Sequence, residues 1–261
     1  MSEGDTILRA GRRIEAALGG QTLSVVAGND RGRAAGVERL DGRRLESVET
    51  HGKHLLFRFD DCVLHSRLGI SGTWHLYRRG EPWRKQRSAA WVVLAGKDAE
   101  AVQFGGPALR VLPAGRLRRD PVLARLGPDV LAPGFDLEGA VRAFRAAPER
   151  ELGDALLDQR LVAGIGNIFK SEACFAARVD PWCPIGDLAD ADLRRTLEAA
   201  RSLMQESVAA GRPGPAVYER ARGPCPACGS RIEARGQGDA NRRTWWCPRC
   251  QGPGKPLRRA S

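Results

Sequence analysis

The chain runs to 261 residues, 42% hydrophobic and 28% charged, enough for one large domain or two modest ones. It has no stretch of ~18 apolar residues and starts with acidic Glu3 and Asp5 without an apolar signal core, so a cytoplasmic protein with no membrane contact is expected. A net charge of +11 favours a polyanionic partner, and 37 arginines against five lysines suit phosphate oxygens and base edges, although a solvated basic surface or a GC-rich genome would give the same bias.

From the N-terminus, Ile7, Ile14 and Leu18 recur on one stripe between a capping Asp5 and Gly19-Gly20, which predicts a helix over 5–18. Strand-like runs follow at 22–26, 54–59, 73–77, 90–94 and 109–112, punctuated by Gly, Asp and Pro as in an antiparallel sandwich or barrel. Leu131-Ala132-Pro133-Gly134 reads as a hinge. Beyond it, helices are predicted over 136–145, 151–158, 167–177 and 190–210, the last stopped by Gly211-Arg212-Pro213-Gly214. The expected fold class is α+β and multidomain: an N-terminal helix with an antiparallel β-sandwich over 1–131, a helical domain over 132–214, a cysteine-bearing segment over 215–251 and a basic tail over 252–261.

The sharpest motif is Cys225-Pro-Ala-Cys228, eighteen intervening residues, then Cys247-Pro-Arg-Cys250. Each Cys-x-x-Cys places two thiolates on one tight turn, and two such turns complete a closed tetrahedral site suited to one structural Zn²⁺. Two redox dithiols are the alternative. Between the pairs, residues 231–246 can form a hairpin whose Arg242 and Arg243 are aimed with little conformational loss. Cys62, Cys174 and Cys183 read as ordinary thiols.

A second motif spans Leu156 to Glu172, where a helix gives way to Ala163-Gly164-Ile165-Gly166 and Asn167 opens the next helix. The free amides of such a start, with the Asn side chain, form a natural phosphate site, and a plain helix–turn–helix is the alternative. Read bare, Glu3 is a first-turn carboxylate that suits the helix dipole, and Lys53 is a lysine opening a strand.

Together these segments resemble the formamidopyrimidine-DNA glycosylase / endonuclease VIII family of base-excision repair enzymes, closest to the endonuclease VIII-like branch common in actinobacteria. The resemblance covers nearly the whole chain: Ser2-Glu3-Gly4-Asp5-Thr6, His51-Gly52-Lys53-His54-Leu55-Leu56, His65–Gly72, Leu126–Leu131, the helix–two-turn–helix of Asp158–Glu172, Val217-Tyr218 and the four cysteines.

The resemblance implies a glycosylase and abasic-site lyase acting as a monomer on double-stranded DNA with oxidised bases or abasic sites, near the nucleoid. Its nucleophile would be the α-amine exposed at Ser2 when Met1 is removed, with Glu3 as acid/base and Lys53 as phosphate contact and proton-transfer aid. Asn167 and Arg242 would grip the phosphates flanking an everted nucleotide, and Ile70 would fill the gap it leaves. Two positions depart from the family pattern: Ser2 replaces proline, and Ile70 replaces methionine. Ala99–Arg110 has no match to the arginine–phenylalanine loop that probes the base opposite 8-oxoguanine, which shifts the expectation to oxidised pyrimidines. The alternative that Ser2 leaves open is a damaged-DNA-binding relative with impaired or absent lyase chemistry.

Overall fold

The structure is a computed structural model that describes residues 2–252, and these divide between residues 125 and 126 into two compact units. From residue 253 on, the expected basic tail lies outside the described residues.

In the first unit the chain enters α1 (Gly4–Leu18) from an extended Glu3, at φ −114° and ψ 176°. Asp5 does not cap this helix as expected; it lies inside the first turn with its side chain buried. Then come β1 (Ser24–Ala27), α2 (Asp30–Ala35), β2 (Leu45–His51), β3 (His54–Phe59), β4 (Cys62–Arg67), β5 (Thr73–Arg78), β6 (Ala90–Ala95), β7 (Ala99–Phe104) and β8 (Ala108–Pro113). They form two four-stranded sheets of order β1-β6-β7-β5 and β2-β3-β4-β8, every pair antiparallel. β1 starts two residues later than expected because Thr22 bridges to Arg44 and Leu23 N–H donates to Arg43 O.

Period-2 alternation sends Leu55, Phe57, Phe59 and Leu64 of one sheet and Val25, Val92, Leu94 and Ala101 of the other into a shared core closed by Ile7, Ile14 and Leu18 of α1. The sandwich is therefore built as its pattern predicts. On the outer face of the second sheet, Leu56 and Val63 are covered by Leu117, on a chain segment that folds back after β8. Gly11 lets α1 lie directly on the β2–β3 hairpin, since a Cβ there would stand 3.0 Å from Thr50 Cγ2 and 3.2 Å from Leu55 Cδ2, inside the usual ~3.5–4.0 Å carbon contact. The Glu15 carboxylate fixes the same register by accepting from Val48 N–H.

The second unit begins with α3 (Leu137–Arg145), α4 (Leu152–Ala155), α5 (Asn167–Ala177) and α6 (Asp190–Ala210). It ends with a β9 (Glu233–Gln237)–β10 (Arg242–Trp246) antiparallel hairpin and α7 (Pro248–Gln251). Phe144, Leu152, Ile165, Phe169, Leu197 and Met204 fill its core. α4 stops short of the expected 158 because the Asp158 side chain accepts from Arg160 N–H at 3.0 Å, an Asx turn that competes with helix. Among the described residues, no helix is long and apolar enough to cross a membrane.

Phe144 is fully buried on the inner face of α3, so Phe144→Ala should remove about 3–5 kcal/mol of stability, read from the denaturant midpoint of the helical unit.

Candidate functional site

In the first unit, the candidate residues of the N-terminus converge on one turn. Ser2 N donates to Gly69 O at 3.3 Å, and Glu3, the next residue, is fully buried where α1 begins. The turn runs from Leu68, whose carbonyl accepts Gly72 N–H at 2.8 Å, and Gly69 occupies its left-handed position at φ 58°, a conformation that a side chain disfavours. Ile70, directly after it, is 66% exposed, an isoleucine held out on a tight turn when most apolar side chains of the unit are buried. Lys53 lies elsewhere in the unit, with Gly52 in the two-residue loop that joins β2 to β3, where His51 pairs with His54. α1 packs on that hairpin through Gly11, so one helix braces both the Ser2–Glu3 segment and the Lys53 loop.

Below Lys53 runs a polar line that sequence reasoning missed. His54 Nδ1 and His65 Nε2 are 2.7 Å apart, Arg110 Nε donates to His65 Nδ1 at 3.0 Å, and Arg110 pairs with Asp120 at 2.8 Å. Asp120 Oδ1 also accepts the amides of Val122 and Leu123, each at 3.1 Å. Burial, then the neighbouring His65, Arg67, His51 and Arg110, push His54 down to about 3. Burial and Arg110 push His65 down to about 4. Both imidazoles are neutral at physiological pH. Burial opposes ionisation of Asp120, yet Arg110 and the two amides hold its carboxyl below the usual range. The only sequence hint was that three of the chain's four histidines fall at 51, 54 and 65.

In the second unit, Asn167 is the first residue of α5, as expected. The turn before it is braced by Gln159, whose Oε1 accepts Gly164 N–H at 3.0 Å and whose Nε2 donates to Leu157 O and Ile165 O. Asn167 Nδ2 donates to Arg243 O at 2.9 Å, while its buried Oδ1 has no partner. The α5 start is thereby tied to the strand that carries Arg242, and Arg242 and Arg243 are both exposed. Lys170, fully buried one turn along α5, donates to Thr244 Oγ1 at 2.7 Å. The Glu172 carboxylate accepts three successive amides, Ala216, Val217 and Tyr218, at 2.7–2.9 Å, and so anchors the chain after α6.

The four cysteines of the paired motifs come together with all Sγ atoms within 4.8 Å of one another. Cys225 and Cys250 are 3.9 Å apart and Cys228 and Cys247 3.5 Å, close to the ~3.8 Å that tetrahedral coordination at ~2.3 Å per sulfur requires. The residues fit a single tetrahedral ion. The Ser230 hydroxyl and amide pull the Cys228 thiol down to about 6. Tyr218 and Trp245, with ring centroids 4.4 Å apart, pack beside this cluster. Cys62 and Cys174 are buried away from it, Cys183 is half-buried, and burial raises the Cys174 thiol to about 12.

Comparison with known proteins agrees with this arrangement. Residues 1–107 match the formamidopyrimidine-DNA glycosylase N-terminal domain, and residues 126–218 match the formamidopyrimidine-DNA glycosylase H2TH domain. The chain is 38% identical to a probable endonuclease 8 2 of Streptomyces coelicolor, across 96% of this chain and 94% of that protein. It is 34% identical to the DNA-(apurinic or apyrimidinic site) lyase Nei2 of Mycolicibacterium smegmatis, across 96% and 99%. The crystal structure of the MutM (Fpg) protein from Thermus thermophilus superposes with a TM-score of 0.80 at 32% identity, covering 98% of this chain and all of that one. With two family domains matched in succession and relatives at 34–38% identity over nearly its whole length, the chain belongs to the formamidopyrimidine-DNA glycosylase / endonuclease VIII family of DNA glycosylases and abasic-site lyases.

Proposed function

We propose that this protein excises oxidised bases, chiefly pyrimidines, from double-stranded DNA and nicks the resulting abasic site through a Schiff base on the Ser2 amine. The observation that carries this reading is the seat of the N-terminus: Ser2 N rests on Gly69 O and the adjoining Glu3 is wholly buried. A nucleophile at a chain end needs such anchoring, because termini otherwise fray.

Once Met1 is removed, Ser2 N becomes a primary amine of ordinary pKa ~7.7–8.0, with a useful neutral fraction near neutral pH. It attacks C1′ of the damaged nucleotide as the bond to the base breaks, and the base leaves with the bonding electrons and takes up the proton that the amine gives up. Glu3 supplies a proton to the sugar ring oxygen as the ring opens, which leaves a protonated imine. That cation draws electrons from the C2′–H bond as its proton leaves, and the 3′ phosphate departs with its bonding electrons by β-elimination. Lys53 contacts phosphate, Asn167 and Arg242 hold the phosphates on either side, and Ile70 occupies the space of the everted nucleotide. The protein acts as a monomer near the nucleoid, with residues 1–131 carrying the chemistry and 132–214 and 215–251 carrying most DNA contacts. The four cysteines hold one structural Zn²⁺, which fixes the β9–β10 hairpin.

Ser2 also supports a second reading, that of a damage-binding relative, because an imine from a primary amine can lose the proton that keeps it cationic, whereas a proline imine stays charged. Borohydride trapping on a duplex with one abasic site separates the two readings. Covalent trapping by the native protein, mapped to its N-terminal peptide and abolished by acetylation of that amine, is the result expected. Trapping by Ser2→Pro alone would leave a binding protein.

Arg242→Ala should weaken binding to all duplex sequences alike and reduce the salt dependence by about 0.9 in the log–log slope, the loss of one phosphate contact. An unchanged slope would remove Arg242 from the interface. Chelation should release one zinc per chain and melt the hairpin, seen as a loss of Trp245 and Trp246 fluorescence order, while the sandwich unit keeps its secondary structure.

A further inference from the structure

The polar line beneath Lys53 has a single consistent hydrogen-bond direction. A guanidinium has donors only, so His65 Nδ1, which meets Arg110 Nε at 3.0 Å, carries a lone pair and the His65 hydrogen sits on Nε2. That hydrogen points to His54 Nδ1 at 2.7 Å, which must in turn be the acceptor, leaving the His54 hydrogen on Nε2. Ring centroids 4.9 Å apart and planes inclined at 23° place the shared hydrogen close to both ring planes, as a hydrogen bond needs and face-to-face stacking would not. Asp120 holds the far end by its ion pair with Arg110, and its own oxygen is fixed by two backbone amides.

The register of the second sheet builds this line. His65 and Arg110 are directly opposed on β4 and β8, and His54 lies diagonally across from His65 on β3. The fold-back segment after β8 brings Asp120 onto the same face. Both imidazoles are almost wholly buried. The charged or titratable groups around His54 are His51 on β2, His65 and Arg67 on β4, Arg110 on β8 and Asp120 beyond it, with Lys53 next in the chain. Cations predominate there.

We infer that His65, Arg110 and Asp120 are positioning residues that hold His54 as a neutral, Nε2-protonated imidazole, so that the loop it anchors presents Lys53 as its one cation to the substrate phosphate. The inference rests on the assignment of Lys53 to phosphate contact proposed above. An imidazolium at His54 would add a buried charge next to the half-buried Lys53 and compete with the loop geometry. Relay residues of this kind act through orientation and charge state, and touch no reacting atom.

Two measurements test it. Long-range ¹H–¹⁵N spectra of the full zinc-loaded protein should show His54 and His65 both with hydrogen on Nε2 and neither titrating between pH 5 and pH 8. Hydrogen on Nδ1 of either ring, or a midpoint near the ordinary ~6.5, would overturn the relay whatever the activity proves to be. In the second, nicking of a single-abasic-site duplex is followed from pH 5.5 to pH 8.5 for native protein, His65→Leu and His65→Gln. Leucine removes both the acceptor for Arg110 and the donor to His54, so His54 loses the partner that fixes its hydrogen on Nε2, while burial still opposes its charge. The leucine variant should nick severalfold more slowly than the native protein and show the His54 hydrogen on both ring nitrogens, while glutamine, with one acceptor and one donor, keeps both the rate and the Nε2 hydrogen. A leucine variant that keeps the His54 hydrogen wholly on Nε2 would mean a merely structural histidine and sink the inference. Absence of nicking by the native protein would count against the proposed lyase alone, and the spectra would then decide the relay.

Discussion

A chain end has no fold of its own to hold it, and the packing of the first helix in the sandwich unit answers that constraint at Ser2 and Glu3. Ser2 is fixed from outside by Gly69 O, and Glu3 from within by the helix it starts, where Ile7 N–H donates to Glu3 O at 3.1 Å. That helix has to be immobile for the anchoring to matter. Its apolar stripe of Ile7, Ile14 and Leu18 enters the sandwich core, and Gly11 lets it approach the β2–β3 hairpin so closely that even a methyl group would have to displace Thr50 and Leu55. Local propensity alone would leave a 15-residue helix marginal in water; tertiary packing makes it rigid.

Those dependencies explain which parts were legible in the sequence. Helices over 167–177 and 190–210 and the strand over 54–59 appear at the residues that periodicity and stop signals indicated, because their signals are local. The cysteine cluster was legible for the same reason, since two thiols on each tight turn are specified by spacing within four residues. Asp5 was misread because an acidic residue at a helix start looks the same whether it caps the helix or is buried inside its first turn. Glu3 and Lys53 carried no chemical signature by themselves and stood out only through resemblance to a family.

What sequence could not show is the pairing of polar groups across strands. His65 and Arg110 are 45 positions apart and Asn167 and Arg243 76, and each contact exists only once the register of a sheet or the docking of a hairpin is known. A one-residue slip of β8 against β4 would send Arg110 to the other face and dissolve the line to Asp120. Buried polar contacts of this sort are thus consequences of topology, and no count of residue types along the chain anticipates them.

Both units use one device to order such contacts: a side chain that can only donate sets the direction of every bond after it. In the first, Arg110 orients His65 and His65 orients His54. In the second, Lys170 donates to Thr244 Oγ1, so the threonine hydroxyl must donate onward to Gln237 Oε1 at 2.6 Å, which leaves the Gln237 amide for Pro181 O at 2.7 Å and Glu151 at 3.0 Å. Burying such groups costs desolvation that apolar replacements would avoid, and stability by itself does not account for them. Their return is uniqueness: the hairpin bearing Arg242 and the strand after the Lys53 loop are each tied by a directed chain of bonds, and a misplaced alternative would strand further buried polar groups at a cost of about 1–3 kcal/mol each. Within each unit, precision of that kind fixes the position of an exposed side chain more narrowly than the same volume filled with leucine would.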